Sequence, residues 1–288
     1  MTNSISKKTG DRGRPGRLFG LHLLLLVLCF SMVLPFIWMV LTSLKPAVEV
    51  ENPGWLPSGN ILSWKWSNYL EVFRMDGIHF ARWYWNSLFV ACWVTLLQVF
   101  TSALAAFSFS RLRWPGRDQV FTLYLATMML PGLVLMIPNF QIMIKLGLID
   151  SMPGLILPAA FSAFGTFLLR QFMMSIPSSL DEAATIDGAG RWQLFTEIIL
   201  PLARPGLIVL AIFTFMANYN SFFWPLVMMK TTEKYTLPVG LLFFDSAQTQ
   251  STHLMMAAVT LSVLPPIILF ICLQKYLVKG IQAGAVKG

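Results

Sequence analysis

The stretch that decides the fold runs from Asp181 to Pro201 and reads DEAATIDGAGRWQLFTEIILP. It sets four carboxylates, two close glycines and a proline into a chain of 288 residues that is 56% hydrophobic and only 12% charged. An ordinary soluble domain is roughly 25% charged, so the surroundings of this polar insert belong to a polytopic membrane protein.

Working outward, six apolar runs can each cover a hydrocarbon core of about 30 Å at a rise of 1.5 Å per residue. They lie at about 18–41, 86–109, 119–140, 153–172, 205–223 and 255–276, leaving a basic tail at 1–17 and one membrane domain at 18–288. The polar insert falls between the fourth and fifth runs. Six crossings put both termini on one side. Fourteen of the 21 Lys and Arg residues fall on that side, including Arg12, Arg14 and Arg17 of the tail, Arg111, Arg113 and Arg117, and Arg170, Arg191 and Arg204. The seven on the other side are spread over longer loops. The positive-inside rule therefore places both termini and the insert in the cytoplasm, with the chain in the cytoplasmic (inner) membrane. The formal charge of +8 follows from this bias and from anionic lipid, and calls for no nucleic acid.

Several functions are excluded by what the spans lack. No Asp, Glu, Lys or Arg sits in the middle of any run, which counts against an ion-coupled carrier, since such carriers place charges inside the membrane. There is no HExxH, no GxSxG and no GxxxxGK[ST] phosphate loop. The chain is thus expected not to be an enzyme, to hold no metal or cofactor, and to draw any transport energy from elsewhere. Cys29, Cys92 and Cys272 all lie in apolar runs without metal-ligand spacing.

Within the insert, Ser179 and Glu182 have the spacing of a capping box, with Asp181 favoured in the first turn. A helix is predicted from Leu180 to near Gly188, where glycine permits a left-handed turn. Leu180, Ala183, Ala184 and Asp187 share one face of it. A second helix is predicted from about Arg191 to Leu200, with Leu194, Phe195 and Ile198 or Ile199 on its apolar side, ending before Pro201. A capped two-helix element is more than a linker requires, although a solvated hairpin is the plain alternative.

Here the residues resemble a known family. Glu182, Ala183, Ala184, Gly188, Ile198, Leu200 and Pro201 match, at all seven fixed positions, the EAA loop (179–201) of ATP-binding-cassette importer permeases. Thr42-Ser43-Leu44-Lys45, Asn68-Tyr69, the RLRWPGR segment at Arg111 to Arg117 and the ending GIQAGAVKG resemble the second permease of maltose- and glycerol-phosphate-type carbohydrate uptake systems. The resemblance implies an all-α membrane protein with six transmembrane helices and a cytoplasmic EAA coupling-helix loop, the type I importer permease fold. It implies a homologous second permease subunit, two cytoplasmic ATP-binding subunits that carry ATP and Mg, and an extracytoplasmic solute-binding protein. Glu182, Ala183, Ala184, Gly188, Ile198, Leu200 and Pro201 would then couple to the ATPase, and the tail Gly284, Ala285, Val286, Lys287 and Gly288 could reach it.

The solute path is harder to read. Asn218, Tyr219, Asn220 and Trp224, with Phe222, cluster near the outer end of the fifth run, where amides and aromatic faces suit a sugar and equally suit an interfacial belt. Pro131, Gly132, Pro138, Pro158, Pro265 and Pro266 could shape broken helices. Trp55, Trp64, Trp66, Trp83 and Trp85 fall in the first external loop and suit anchoring or partner contacts. The expected cargo is a carbohydrate; glycerol phosphate, an amino acid or a peptide remains an alternative under the same mechanism.

Overall fold

The computed structural model describes residues 15–50, 54–246 and 251–285. All regular structure among them is helical. The first long helix, α1 (Pro15–Ser43), passes through Pro35 and leaves Phe19, Leu26, Phe30 and Met32 largely exposed. Such a uniformly apolar, exposed rod is what lipid rather than a protein core covers. The second, α2 (Phe80–Arg111), is the central post.

Continuity is lost after α2. The third apolar run is divided into α3 (Arg117–Ala126) and α4 (Met136–Lys145), with a non-helical break at 130–135 that contains Pro131 and Gly132. The fourth is divided into α5 (Met152–Ile156) and α6 (Ala163–Met174) around a break at 157–162 that contains Pro158. Both pieces of the fourth run begin on a serine cap. Ser151 Oγ accepts from Gly154 N–H at 3.3 Å and Ser162 Oγ from Gly165 N–H at 3.0 Å. By length and composition three helices among the described residues suffice to cross a membrane, and a fourth if one pair bent by 74° is counted as a single span. Pro265 and Pro266, by contrast, sit inside an unbroken helix.

The insert forms α7 (Ser179–Ile186) and α8 (Arg191–Leu202), after which come α9 (Arg204–Tyr219), α10 (Phe223–Met228), α11 (Leu237–Ser246) and α12 (Thr252–Ala285). Helices α6 and α9 pack along α2, while α12 packs against α1, α9 and α11. The buried side chains form two clusters. One joins Phe80, Trp83, Val94, Phe215, Tyr219, Leu237 and Ala257; the other, at the end carrying the insert, joins Ala106, Phe107, Leu169, Met173, Phe195, Ile199 and Leu210. Cys29, Cys92 and Cys272 are free thiols on exposed positions.

The end remote from the insert is tied by polar contacts between residues far apart in sequence. Asn68 is buried and donates from Nδ2 to the carbonyls of Ser43 (2.8 Å) and Lys45 (2.9 Å), while Ser43 Oγ lies 2.7 Å from Tyr69 Oη. The two short motifs singled out in the first external loop are therefore partners of each other. Trp83 is a core residue, 1% exposed, and donates from Nε1 to Thr232 O at 2.6 Å. This corrects the grouping of Trp83 with anchoring tryptophans.

Asp150 closes a second clasp at the same end. Its Oδ1 accepts from the backbone N–H groups of Lys230 and Thr231 (3.0 and 3.1 Å), and its Oδ2 accepts from Thr231 Oγ1 (2.6 Å) and Lys234 Nζ (2.9 Å). Partial burial of the carboxyl raises its pKa, but the hydrogen bonds from Thr231, Lys234 and the two backbone amides outweigh that and hold it well below the usual carboxylate range. A depressed folded-state pKa stabilises above the unfolded value of about 3.9 and is lost as pH falls toward the folded value. Asp150→Asn is therefore expected to melt lower than the parent at pH 7, with the gap narrowing below about pH 4. A gap that is constant from pH 7 to 3 would remove the charge from this account.

Candidate functional site

The insert is built by two different helix-end devices. At its start the predicted capping box does not form. Ser178 occupies the cap position with helical angles (φ −67°, ψ −20°) and makes no side-chain cap bond, and Ser179 is already inside the helix. The chain is helical one residue earlier than expected, because Leu180 N–H bonds Pro177 O at 3.3 Å and Asp181 N–H bonds Ser178 O at 3.0 Å. Without an extended cap residue no serine oxygen can swing back to the free amides. Glu182 is left exposed.

At its end α7 follows the glycine prediction. Gly188 has φ +83°, Ala189 N–H bonds Ala184 O at 2.9 Å and Gly188 N–H bonds Thr185 O at 3.1 Å. These two crossed bonds are a Schellman motif, and they fix where the chain leaves the helix.

The face shared by Leu180, Ala183, Ala184 and Asp187 is not uniform. Ala184 is 6% exposed and packs into the chain itself, whereas Ala183 and Asp187 are exposed. The outward surface instead adds Ile186, at 85% exposure, and Trp192 of α8, at 62%. Sequence spacing placed Ala183 and Ala184 together because helical period alone cannot tell which flank meets the neighbouring α8.

Helix α8 begins with Gln193 Oε1 accepting from Gly190 N–H at 2.9 Å. It then widens into a π turn over Leu194–Ile199, with Phe195 and Ile199 buried as the apolar pattern requires. Pro201 does not end this helix, which runs on to Leu202. A proline in a regular α-helix clashes with the carbonyl four residues back; the wide turn immediately before Pro201 moves those carbonyls and admits the ring. The chain then bends by 74° into α9. Ile198 and Leu200 are half-buried along this segment.

Two arginines anchor the site's inner side. Arg111, at the end of α2, pairs with Asp181 at 2.9 Å, and its side chain is 5% exposed. Arg170 of α6 donates to Phe109 O at 3.2 Å, lies 4.2 Å above the ring of Phe121, and is 3.9 Å from Asp118. Asp118 is exposed, and its carboxyl is held below its ordinary range, first by hydrogen bonding to Arg117.

A second feature lies where three helix breaks converge. A cavity of about 470 Å³ is lined by Asn139, Asn218, Ser221, Phe222, Phe223 and Trp224 together with apolar side chains and Pro158. Of the four residues predicted for a solute path, Asn218 and Trp224 meet here. Trp224 Nε1 donates to Gly154 O at 3.2 Å and Asn218 Nδ2 to Thr214 O at 2.8 Å, which leaves the Asn218 carbonyl oxygen for other contacts. Tyr219 is buried and donates to Ser262 O at 2.9 Å, and with Asn220 it borders a separate groove against α11 and α12. Asn139 joins the site only through folding, being 79 residues from Asn218 in a span with no sign of a binding role.

Gly284 and Ala285 are the last residues of α12, and Val286, Lys287 and Gly288 lie outside the described residues. Among the described residues no group of three or more His, Cys, Asp or Glu side chains could hold a metal ion.

Comparison with known proteins agrees with this architecture. The chain is 31% identical over 261 residues to the arabinooligosaccharides transport system permease protein AraQ of Halalkalibacterium halodurans, covering 91% of this chain and 93% of the relative. It is 32% identical over 266 residues to the sn-glycerol-3-phosphate transport system permease protein UgpE of Rhizobium meliloti, covering 90% and 94%. A crystal structure of a bacterial ABC transporter involved in the import of the acidic polysaccharide alginate superimposes with a TM-score of 0.80 at 26% identity, covering 92% of this chain and 98% of that one. Residues 98–283 match the family described as binding-protein-dependent transport system inner membrane component. With the helical membrane fold and the glycine-ended α7 between α6 and α9, the chain belongs to this family of binding-protein-dependent importer permeases.

Proposed function

We propose that this chain is the permease subunit that carries a carbohydrate inward through the membrane, driven by ATP hydrolysis on separate subunits. The observation that carries the reading is α7. It is a short helix fixed at its end by Gly188 and presenting Leu180, Ala183, Ile186 and, beyond the turn, Trp192 to the outside. Exposed apolar side chains on a polar loop mark a surface for another protein. In this reading the partner is one of two cytoplasmic ATP-binding subunits, ATP and Mg are held there, and both termini of this chain are cytoplasmic. Glu182 faces the partner, Ile198, Leu200 and Pro201 carry the motion into α9, and the tail from Gly284 to Gly288 reaches toward the ATPase dimer. A homologous second permease completes the pathway, and a solute-binding protein delivers cargo from outside. Closure of the ATPase pair would then rock the attached helices as rigid bodies.

Carbohydrate is favoured by the names of the relatives and by the cavity at the helix breaks. Its lining offers two amides, a hydroxyl and three aromatic rings, and has no charged side chain. Such a lining suits hydroxyls and the apolar faces of a neutral sugar. A phosphate or carboxylate there would find no cation to offset its loss of water.

The test is to purify the chain with its partner subunits and binding protein and to measure ATPase stimulation across neutral oligosaccharides, glycerol phosphate, amino acids and peptides. Stimulation by a neutral sugar is the expected result. Stimulation by an amino acid or peptide alone would overturn the cargo and keep the mechanism, whereas failure to recover any ATPase subunit with the chain would overturn the mechanism.

A further inference from the structure

The guanidinium of Arg111 sits at the junction of three helices. Arg111 is the final residue of α2. Its Nη1 donates to Asp181 Oδ2 at 2.9 Å, and its Nη2 donates to the carbonyls of Met173 and of Ile176, the latter at 2.8 Å. Met173 belongs to the last turn of α6, and Asp181 to the first turn of α7. Ile176 lies in the four-residue connection, Ser175 to Ser178, that joins those helices.

This placement is favourable on both sides. A cation at the C-terminal end of α6 and an anion in the first turn of α7 each oppose the local helix dipole. A charge as buried as Arg111 persists only when it is paired and hydrogen-bonded, and a guanidinium reaches separated acceptors from two nitrogens held in a fixed fork, whereas an ammonium presents its three donors from a single nitrogen. The helices held by Arg111 are themselves joined a turn deeper by Arg170, which binds Phe109 of α2 and covers Phe121 of α3 from its position on α6.

The connection from α6 to α7 is four residues of turn, and α7 is only eight residues long. A push on such a helix could be absorbed by bending the connection. We propose that Arg111 prevents this: it is a positioning residue that, through Asp181, locks α7 to the ends of α2 and α6, so that displacement of α7 moves the membrane helices. The proposal rests on the coupling reading of α7 given above.

Asp181→Asn keeps the size of the side chain and removes its charge; Arg111→Lys keeps the charge and removes the fork. Each variant is assembled with its partner subunits in proteoliposomes, and solute uptake and ATP hydrolysis are counted in the same vesicles. The expected result is a complex of normal composition in which solute moved per ATP falls about tenfold, within the usual range for a coupling energy, with Asp181→Glu recovering most of it. If both variants keep the parent ratio, the proposal is overturned while the coupling reading, which is tested separately at Gly188, stands. If uptake falls only in proportion to the amount of assembled complex, at an intact ratio, Arg111 is a folding contact and the proposal is equally overturned.

Discussion

Gly188→Val is expected to cut solute transport by about tenfold or more, with the protein still inserted in the membrane. The reason is backbone conformation and not space. A Cβ at Gly188 would meet nothing within 4 Å, but the residue sits at φ +83°. A left-handed conformation costs an L-residue about 1–2 kcal/mol, and a β-branched side chain is a true outlier there. The simplest relief is to give up the two crossed bonds from Gly188 and Ala189 to Thr185 and Ala184, and with them the fixed exit from α7. A difference of about 1.4 kcal/mol in the population of the correctly ended helix is tenfold in the competent state. Asparagine tolerates this region far better, so Gly188→Asn should retain most of the activity. Membrane content by immunoblot, uptake and ATPase rate decide the matter together. Normal uptake by Gly188→Val would remove α7 from the coupling path.

A glycine with the opposite constraint gives the second large effect. Gly240→Val is expected to destabilise the fold itself by about 1–3 kcal/mol, the usual cost of overpacking, seen as a lower melting temperature in detergent. A Cβ on Gly240 would lie 2.2 Å from Trp83 Cε3 and 2.3 Å from its Cδ2. The indole cannot yield, because Trp83 is 1% exposed and is held by its bond to Thr232 O. Close by, Arg82 pairs with Glu233, and Asn86 Nδ2 donates to the carbonyls of Glu233 and Tyr235 at 3.0 and 2.9 Å. The loop before α11 is therefore pinned to the start of α2, and α11 must lie flat against Trp83. An unchanged melting temperature would mean that α11 can lift away from α2, contrary to this packing. The two glycines separate two reasons for the same residue: freedom of φ at Gly188, closeness of approach at Gly240. Only the first could be read locally.

The same division runs through the candidate site. The Gly188 turn and the apolar side of α8 were legible because they depend on residues within a turn or two of each other. The capping box expected at Ser179 fails to form for a reason that is also local but subtler: Ser178 already carries the chain into helical geometry, so the cap residue never takes its extended pose. Pro201 does not act as the stop its residue type suggests, because the π turn that admits it leaves no mark in residue type. Ala184 turns inward while Ala183, on the same helical face, stays exposed, because the helical period fixes which residues are neighbours on a helix without fixing which flank meets the rest of the chain.

By itself the sequence determined the class of the protein, a helical membrane chain with a polar two-helix insert, since long apolar runs cannot be hidden anywhere except in lipid or a core and a glycine at a helix end speaks for itself. Tertiary structure alone decided the rest. Arg111 and Asp181 are 70 residues apart and meet only because α2, α6 and α7 end at one place. Asn139, Asn218 and Trp224 share a cavity only because three separate helices break at one level. Such contacts depend on how the helices pack, and hydrophobic period records which side of a helix is apolar without recording what that side will touch.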